Sequence, residues 1–78
     1  MYEKERLRNA AVKMLAYFER SKGSSEYFDV TAFGISVDSL YYVYFDKPFP
    51  RVKKFPRGSD AVFRIPLQCI IDGKPYKV

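Results

Sequence analysis

Apolar side chains recur at three- and four-residue steps at the start of the chain: Leu7, Ala11, Met14, Leu15 and Phe18. That spacing makes one stripe on a helix and predicts a helix over residues 3–22. Glu3 and Glu5 lie where the positive end of the helix dipole favours acids, and Arg20 and Lys22 lie at the other end. Gly23 is a natural residue for the turn past the last helical position.

Beyond Ser24-Ser25 the pattern changes. Residues 26–35, EYFDVTAFGI, are rich in aromatic and β-branched side chains and carry apolar groups on both alternating faces, as a central strand does. Ser36 to Ser39 read as a turn, and residues 40–46, LYYVYFD, as a second strand paired with the first in a hairpin. Residues 60–71 read as a third strand. Pro66 has no N–H to give to a ladder and so confines this strand to an edge or a bulge. Asp72-Gly73 signals a tight turn that returns the chain through a short strand at residues 76–78. The expected fold is therefore α+β: one long N-terminal helix packed on a small, mainly antiparallel sheet of three to four strands. The order is α-β-β-loop-β-β, in a single domain spanning 1–78.

Charge sharpens this picture. The stretch KPFPRVKKFPRG carries Lys47, Arg51, Lys53, Lys54 and Arg57 and no acid, with Pro48, Pro50 and Pro56 and two phenylalanines, Phe49 and Phe55, between them. The residues just before it, Glu26 to Asp46, hold Glu26, Asp29, Asp38 and Asp46 and neither Lys nor Arg. A net charge of +5 is thus unevenly spread. Concentrated cations must stay solvated or meet an opposite charge, and prolines hold them in fewer arrangements than a flexible tail would. On the helix, Arg6, Lys13 and Arg20 recur every seven residues and form a second basic line, with Asn9 and Tyr17 beside it.

Composition removes several classes of chemistry. The chain has no histidine and one cysteine, Cys69, which leaves no internal disulfide, no zinc set and no Ser-His or Cys-His nucleophile. No glycine-rich phosphate loop occurs, since the four glycines stand singly. A helix bearing Glu5, a strand bearing Asp29 and a strand ending in Asp46-Lys47 resemble PD-(D/E)xK nucleases in outline. The decisive acid-x-Lys signature is absent, because Tyr44 stands at the acid position and Asp46 at the lysine position. No catalytic residue, cofactor or metal is expected. The charged opening EKERLR is no signal peptide, and apolar runs such as residues 41–45 are far below the roughly 20 residues that span a bilayer, so a cytoplasmic protein without membrane contact is expected.

Two readings of the basic loop remain. It is a soluble connector in which Phe49 and Phe55 plug into the core, or its cations contact phosphates while an exposed Phe stacks on a base. The absence of any neutralising acid favours the second. The expectation is a small nucleic-acid-binding protein, mainly electrostatic and weakly sequence-specific. Lys47, Arg51, Lys53, Lys54, Phe55 and Arg57 would touch DNA or RNA, with Arg6, Lys13 and Arg20 as a further contact line. The alternative is an interaction module, a regulator, inhibitor or small subunit that docks on an acidic protein surface, with homodimerisation able to complete so small a core. Tyr41, Tyr42 and Tyr44 fit core filling or an open stacking face.

Overall fold

The computed structural model describes residues 2–21, 34–51, 55–56 and 59–77. They form three α-helices: α1 (Tyr2–Arg20), α2 (Val37–Phe45) and α3 (Ala61–Asp72). Helix α1 follows its apolar stripe, with Ala11, Met14 and Phe18 fully buried and Leu7 and Leu15 packed beside them. It closes at Ser21, whose backbone N–H donates to the carbonyls of Tyr17 and Phe18, both at 3.1 Å. Lys22 and Gly23, placed in the helix and its stop from sequence, lie outside the described residues.

The expected α+β architecture is overturned: the described residues contain no strand and no sheet. The predicted strand 40–46 is helix α2. Val37, Leu40, Tyr41 and Tyr44 sit at i, i+3, i+4 and i+7, and this stripe faces α1 and α3. The Ser36–Ser39 segment, expected as a hairpin turn, is the start of that helix. Ser36 has extended backbone angles (φ −83°, ψ 160°), and its hydroxyl oxygen accepts from the Ser39 N–H at 3.1 Å, an N-cap. Asp46 ends α2 in the left-handed region at φ 61°, where a short polar side chain is tolerated, with its N–H on the Tyr42 carbonyl. Aromatic and β-branched content favoured a strand here, but burial of one helical face outweighs so weak a preference.

The predicted strand 60–71 is helix α3, with Pro66, Leu67 and Ile70 buried. Pro66 lies inside the helix, where its ring removes the N–H that would reach the Val62 carbonyl. Its ring is fully buried, so packing offsets part of that loss. Asp72-Gly73 is a helix end and not a hairpin turn. Gly73 sits at φ 72°, its N–H donating to the Ile70 carbonyl and that of Lys74 to the Cys69 carbonyl, each at 3.1 Å, which closes α3 by a Schellman pairing. Residues 74–77, where the fourth strand was expected to begin, carry no regular secondary structure, and residue 78 lies outside the described residues. The first predicted strand, 26–35, falls outside them except for Gly34 and Ile35.

Helices α1 and α3 run antiparallel. Arg64 Nη1 meets Glu19 Oε1 at 2.9 Å near the end of α1 and the start of α3, while Arg8 shares a groove with Ile71–Lys74 at the opposite end. Lys4 lies over the Tyr44 ring at 5.7 Å, and a Cβ at Gly73 would lie 3.6 Å from the Tyr44 hydroxyl. The start of α1 and the ends of α2 and α3 therefore meet at one end of the bundle. Among the described residues no helix is long and apolar enough to cross a membrane.

Tyr41, fully buried, ties this end together. Its ring packs on Phe45 at 4.6 Å and edge-on to Phe49 at 5.2 Å, and its hydroxyl oxygen accepts from the Tyr76 N–H at 3.0 Å. Tyr41→Phe should cost about 1 kcal/mol, the net contribution of a neutral hydrogen bond. Urea unfolding would read that cost, and amide exchange at Tyr76 should quicken selectively. Ser36→Ala should cost about 1 kcal/mol through loss of the α2 cap. An unchanged urea midpoint would argue against the capped helix at 37–45.

Candidate polyanion-binding surface

The surface is built on the connection that leaves α2 at Asp46. Phe49 and Phe55 are half-buried, and both rings rest on Tyr76, at 5.5 Å and 6.1 Å between centroids. Tyr76 is itself held to α2 through the Tyr41 hydroxyl. The basic loop is thus pinned at two points to the segment that follows α3. Pinning matters energetically, because immobilising a rotamer-rich loop on binding otherwise costs about 0.5–1.5 kcal/mol per side chain.

Of the loop cations, Lys47 and Arg51 are exposed, and Lys53, Lys54 and Arg57 lie outside the described residues. Phe55, foreseen as a base-stacking ring, packs on Tyr76 and so keeps only part of its surface open. Arg6, Lys13 and Arg20 are all exposed on α1, as their spacing requires. Arg6 and Lys13 share a groove of about 340 Å³ with Asn9, Ala10, Met14 and Ile35. Arg20 is not part of it; its guanidinium lies 5.8 Å from the Tyr17 ring. Arg6 belongs to the end of α1 that meets the ends of α2 and α3. Arg20 is about 21 Å further along the axis at 1.5 Å per residue. The basic line on α1 therefore approaches the loop at its Arg6 end and runs away from it.

Tyr76 adds cations that sequence reasoning did not assign to the site. Lys74 and Lys77, both exposed, flank the ring on which the loop rests. Lys4 and Arg8 stand at the same end of the bundle, Arg8 lining a groove of about 510 Å³ with Tyr44, Ile71, Asp72, Gly73 and Lys74. Nothing in KPYK announces this placement, because it depends on Tyr76 finding Phe49 across 27 residues of chain. Acids are present here too: Glu3 and Glu5 in the first turn of α1, Asp46 and Asp72 at the ends of α2 and α3. Asp72 Oδ1 accepts from the Gln68 amide at 3.0 Å.

Ion pairing among the described residues is concentrated elsewhere. Arg64 contacts Glu19 at 2.9 Å and Asp60 at 3.8 Å, where α1 ends and α3 begins. Lys47, Arg51, Lys74, Lys77, Arg6 and Lys13 have no carboxylate partner among the described residues. Those six cations are free to exchange water for phosphate. Comparison with protein-family models, curated proteins and solved structures gives no match to this chain.

Cys69 sits half-buried on α3, and its thiol is pushed above the usual cysteine range, first by burial and then by the neighbouring Asp72 carboxylate. A thiol raised in this way stays protonated and unreactive at neutral pH. Alkylation by iodoacetamide should therefore rise with pH later in the folded protein than in urea. Because the folded value is the higher one, this group's contribution to stability is present below the unfolded value and is lost as pH climbs through the folded one. Equal alkylation profiles in the two states would contradict the burial.

Proposed function

We propose that the protein binds DNA or RNA, mainly by electrostatic contact and with weak sequence preference. Loop 47–57 and the C-terminal segment bearing Lys74 and Lys77 form one contact surface, and the Arg6–Lys13 part of α1 a second. The observation that carries this reading is the double pinning of the loop on Tyr76. It brings the segment bearing the exposed Lys47 and Arg51 beside the segment bearing Lys74 and Lys77, four cations without a carboxylate partner among the described residues. A loop backbone already held at Phe49 and Phe55 loses less freedom on binding than a free tail would, while its cations release counterions on meeting phosphates. No catalytic step enters this reading.

A second reading, a module that docks on an acidic protein surface, draws support from α2, where the adjacent Tyr42 and Val43 are each 51 % exposed. Such a neighbouring aromatic–aliphatic pair suits the centre of a small protein interface.

Titration of labelled DNA and RNA at several salt concentrations distinguishes the two. Replacing Lys47, Arg51, Lys74 and Lys77 by Ala together should weaken binding and make the log–log salt slope shallower by about 3, at 0.7–0.9 per lost phosphate contact. Adding changes at Lys53, Lys54 and Arg57 should shallow it further. Binding weaker than millimolar at low salt, or a slope near zero, would overturn the nucleic-acid reading. Partners recovered from extract after nuclease treatment, and lost on Tyr42→Ser, would favour the second.

A further inference from the structure

The groove along α1 has a composition that a plain electrostatic track does not need. Among the described residues its lining combines aliphatic surface from Ala10 and Ile35, over the buried Met14, with three polar side chains, those of Arg6, Asn9 and Lys13, and no carboxylate. Arg6 and Lys13 are two helical turns apart, about 10.5 Å along the axis, with Asn9 and Ala10 between them. At about 340 Å³ the groove is large enough for one flat ring system. The other groove, beside Tyr44, is less suited to an anion, since Asp72 lines it and it lies at the C-terminal end of α3, the negative end of the helix dipole.

We infer that this groove holds an unpaired base of a single-stranded nucleic acid, with Arg6 and Lys13 on the phosphates either side of it. The proposal rests on the nucleic-acid reading above and adds the form of the ligand to it. A base inside a duplex presents only its edge, and its ring face is covered by its neighbours; an unpaired base can be splayed out and laid against side chains. The faces of Ala10 and Ile35 offer an apolar bed for one ring face. Asn9 carries both a donor and an acceptor, the pair needed to hydrogen-bond a base edge bidentately, with adenine as the best geometric match. Charge complementarity fixes the direction: cations flank the groove at both ends, so the strand runs along the α1 axis and not across it. Glu3, one turn before Arg6, limits the track at its upstream end.

The groove thus converts a general attraction into a preference for single strands. Duplex would still meet the loop and the C-terminal lysines, but would gain nothing from Ala10 or Asn9. The two surfaces are separable by mutation for that reason.

The test uses the full chain with labelled 12-nucleotide single strands (oligo-dA, oligo-dT) and a 12-base-pair duplex, followed by fluorescence anisotropy. Ala10→Leu, which fills the groove from a half-buried position open to it, should weaken single-strand binding about tenfold, within the range set by losing one base contact. Duplex binding should stay within twofold. Asn9→Ala, at an exposed position that does not threaten folding, should reduce the preference for oligo-dA over oligo-dT. Chemical-shift changes at the Asn9 side-chain amide and the Ala10 backbone on adding oligo-dA should be larger than on adding duplex. Equal effects of Ala10→Leu and Asn9→Ala on single strand and duplex, with helical circular dichroism retained, would overturn the inference while leaving the loop reading intact. Perturbation of the groove by an acidic peptide and not by any oligonucleotide would also overturn it. Loss of all nucleic-acid binding at low salt in the unmodified chain would remove both.

Discussion

The buried Tyr41 is the residue on which the rest of the arrangement depends. Its ring belongs to the core with Leu40, Leu67 and Ile70, and its hydroxyl reaches out to the backbone of Tyr76. A phenolic ring can do both, since it buries a large apolar body while leaving one polar atom to be satisfied at the rim. Through that atom the C-terminal segment is fastened to α2, and through Tyr76 the loop is fastened to the C-terminal segment. Without it, Phe49 would still have an apolar wall, but the strand of backbone that aligns Tyr76 with it would be held by ring contact alone.

How far the architecture could be read from the chain differs between its parts. Helix α1 was legible because its 3.6-residue period is long and uninterrupted. Helix α2 was not, although Val37, Leu40, Tyr41 and Tyr44 carry the same period. Over nine residues made mostly of Tyr, Phe, Val and Leu, nearly every register has apolar groups, so alternation and helical spacing fit equally well. The deciding signals were local and small: a serine at the cap, an acid in the first turn, and an aspartate able to take φ 61° at the end. In α3 Pro66 argued against a regular interior of either kind. It is accommodated because its ring is buried, a tertiary fact that no local propensity contains.

The candidate surface was half legible. The clustering of Lys47, Arg51, Lys53, Lys54 and Arg57 is written in the chain, and so is the seven-residue recurrence of Arg6, Lys13 and Arg20. The recruitment of Lys74 and Lys77 is not, because it follows from a contact between Tyr76 and rings distant in sequence. The division of the α1 line was also hidden. Periodicity puts three cations in a row, but only the position of Ile35 makes a groove of the first two and leaves Arg20 beside Tyr17.

Arg64 has an effect that reaches beyond the contact it makes. By holding Glu19 and Asp60, it fixes two carboxylates where α1 ends and α3 begins, far from Lys47, Lys74 and Lys77. Arg64 offsets one of the two negative charges, so the cluster ties the end of α1 to the start of α3 while leaving little net charge of its own. Under the nucleic-acid reading proposed above, this guanidinium is already occupied and is not offered to phosphate. A surface ion pair that adds little to stability thereby takes one cation out of the candidate surface.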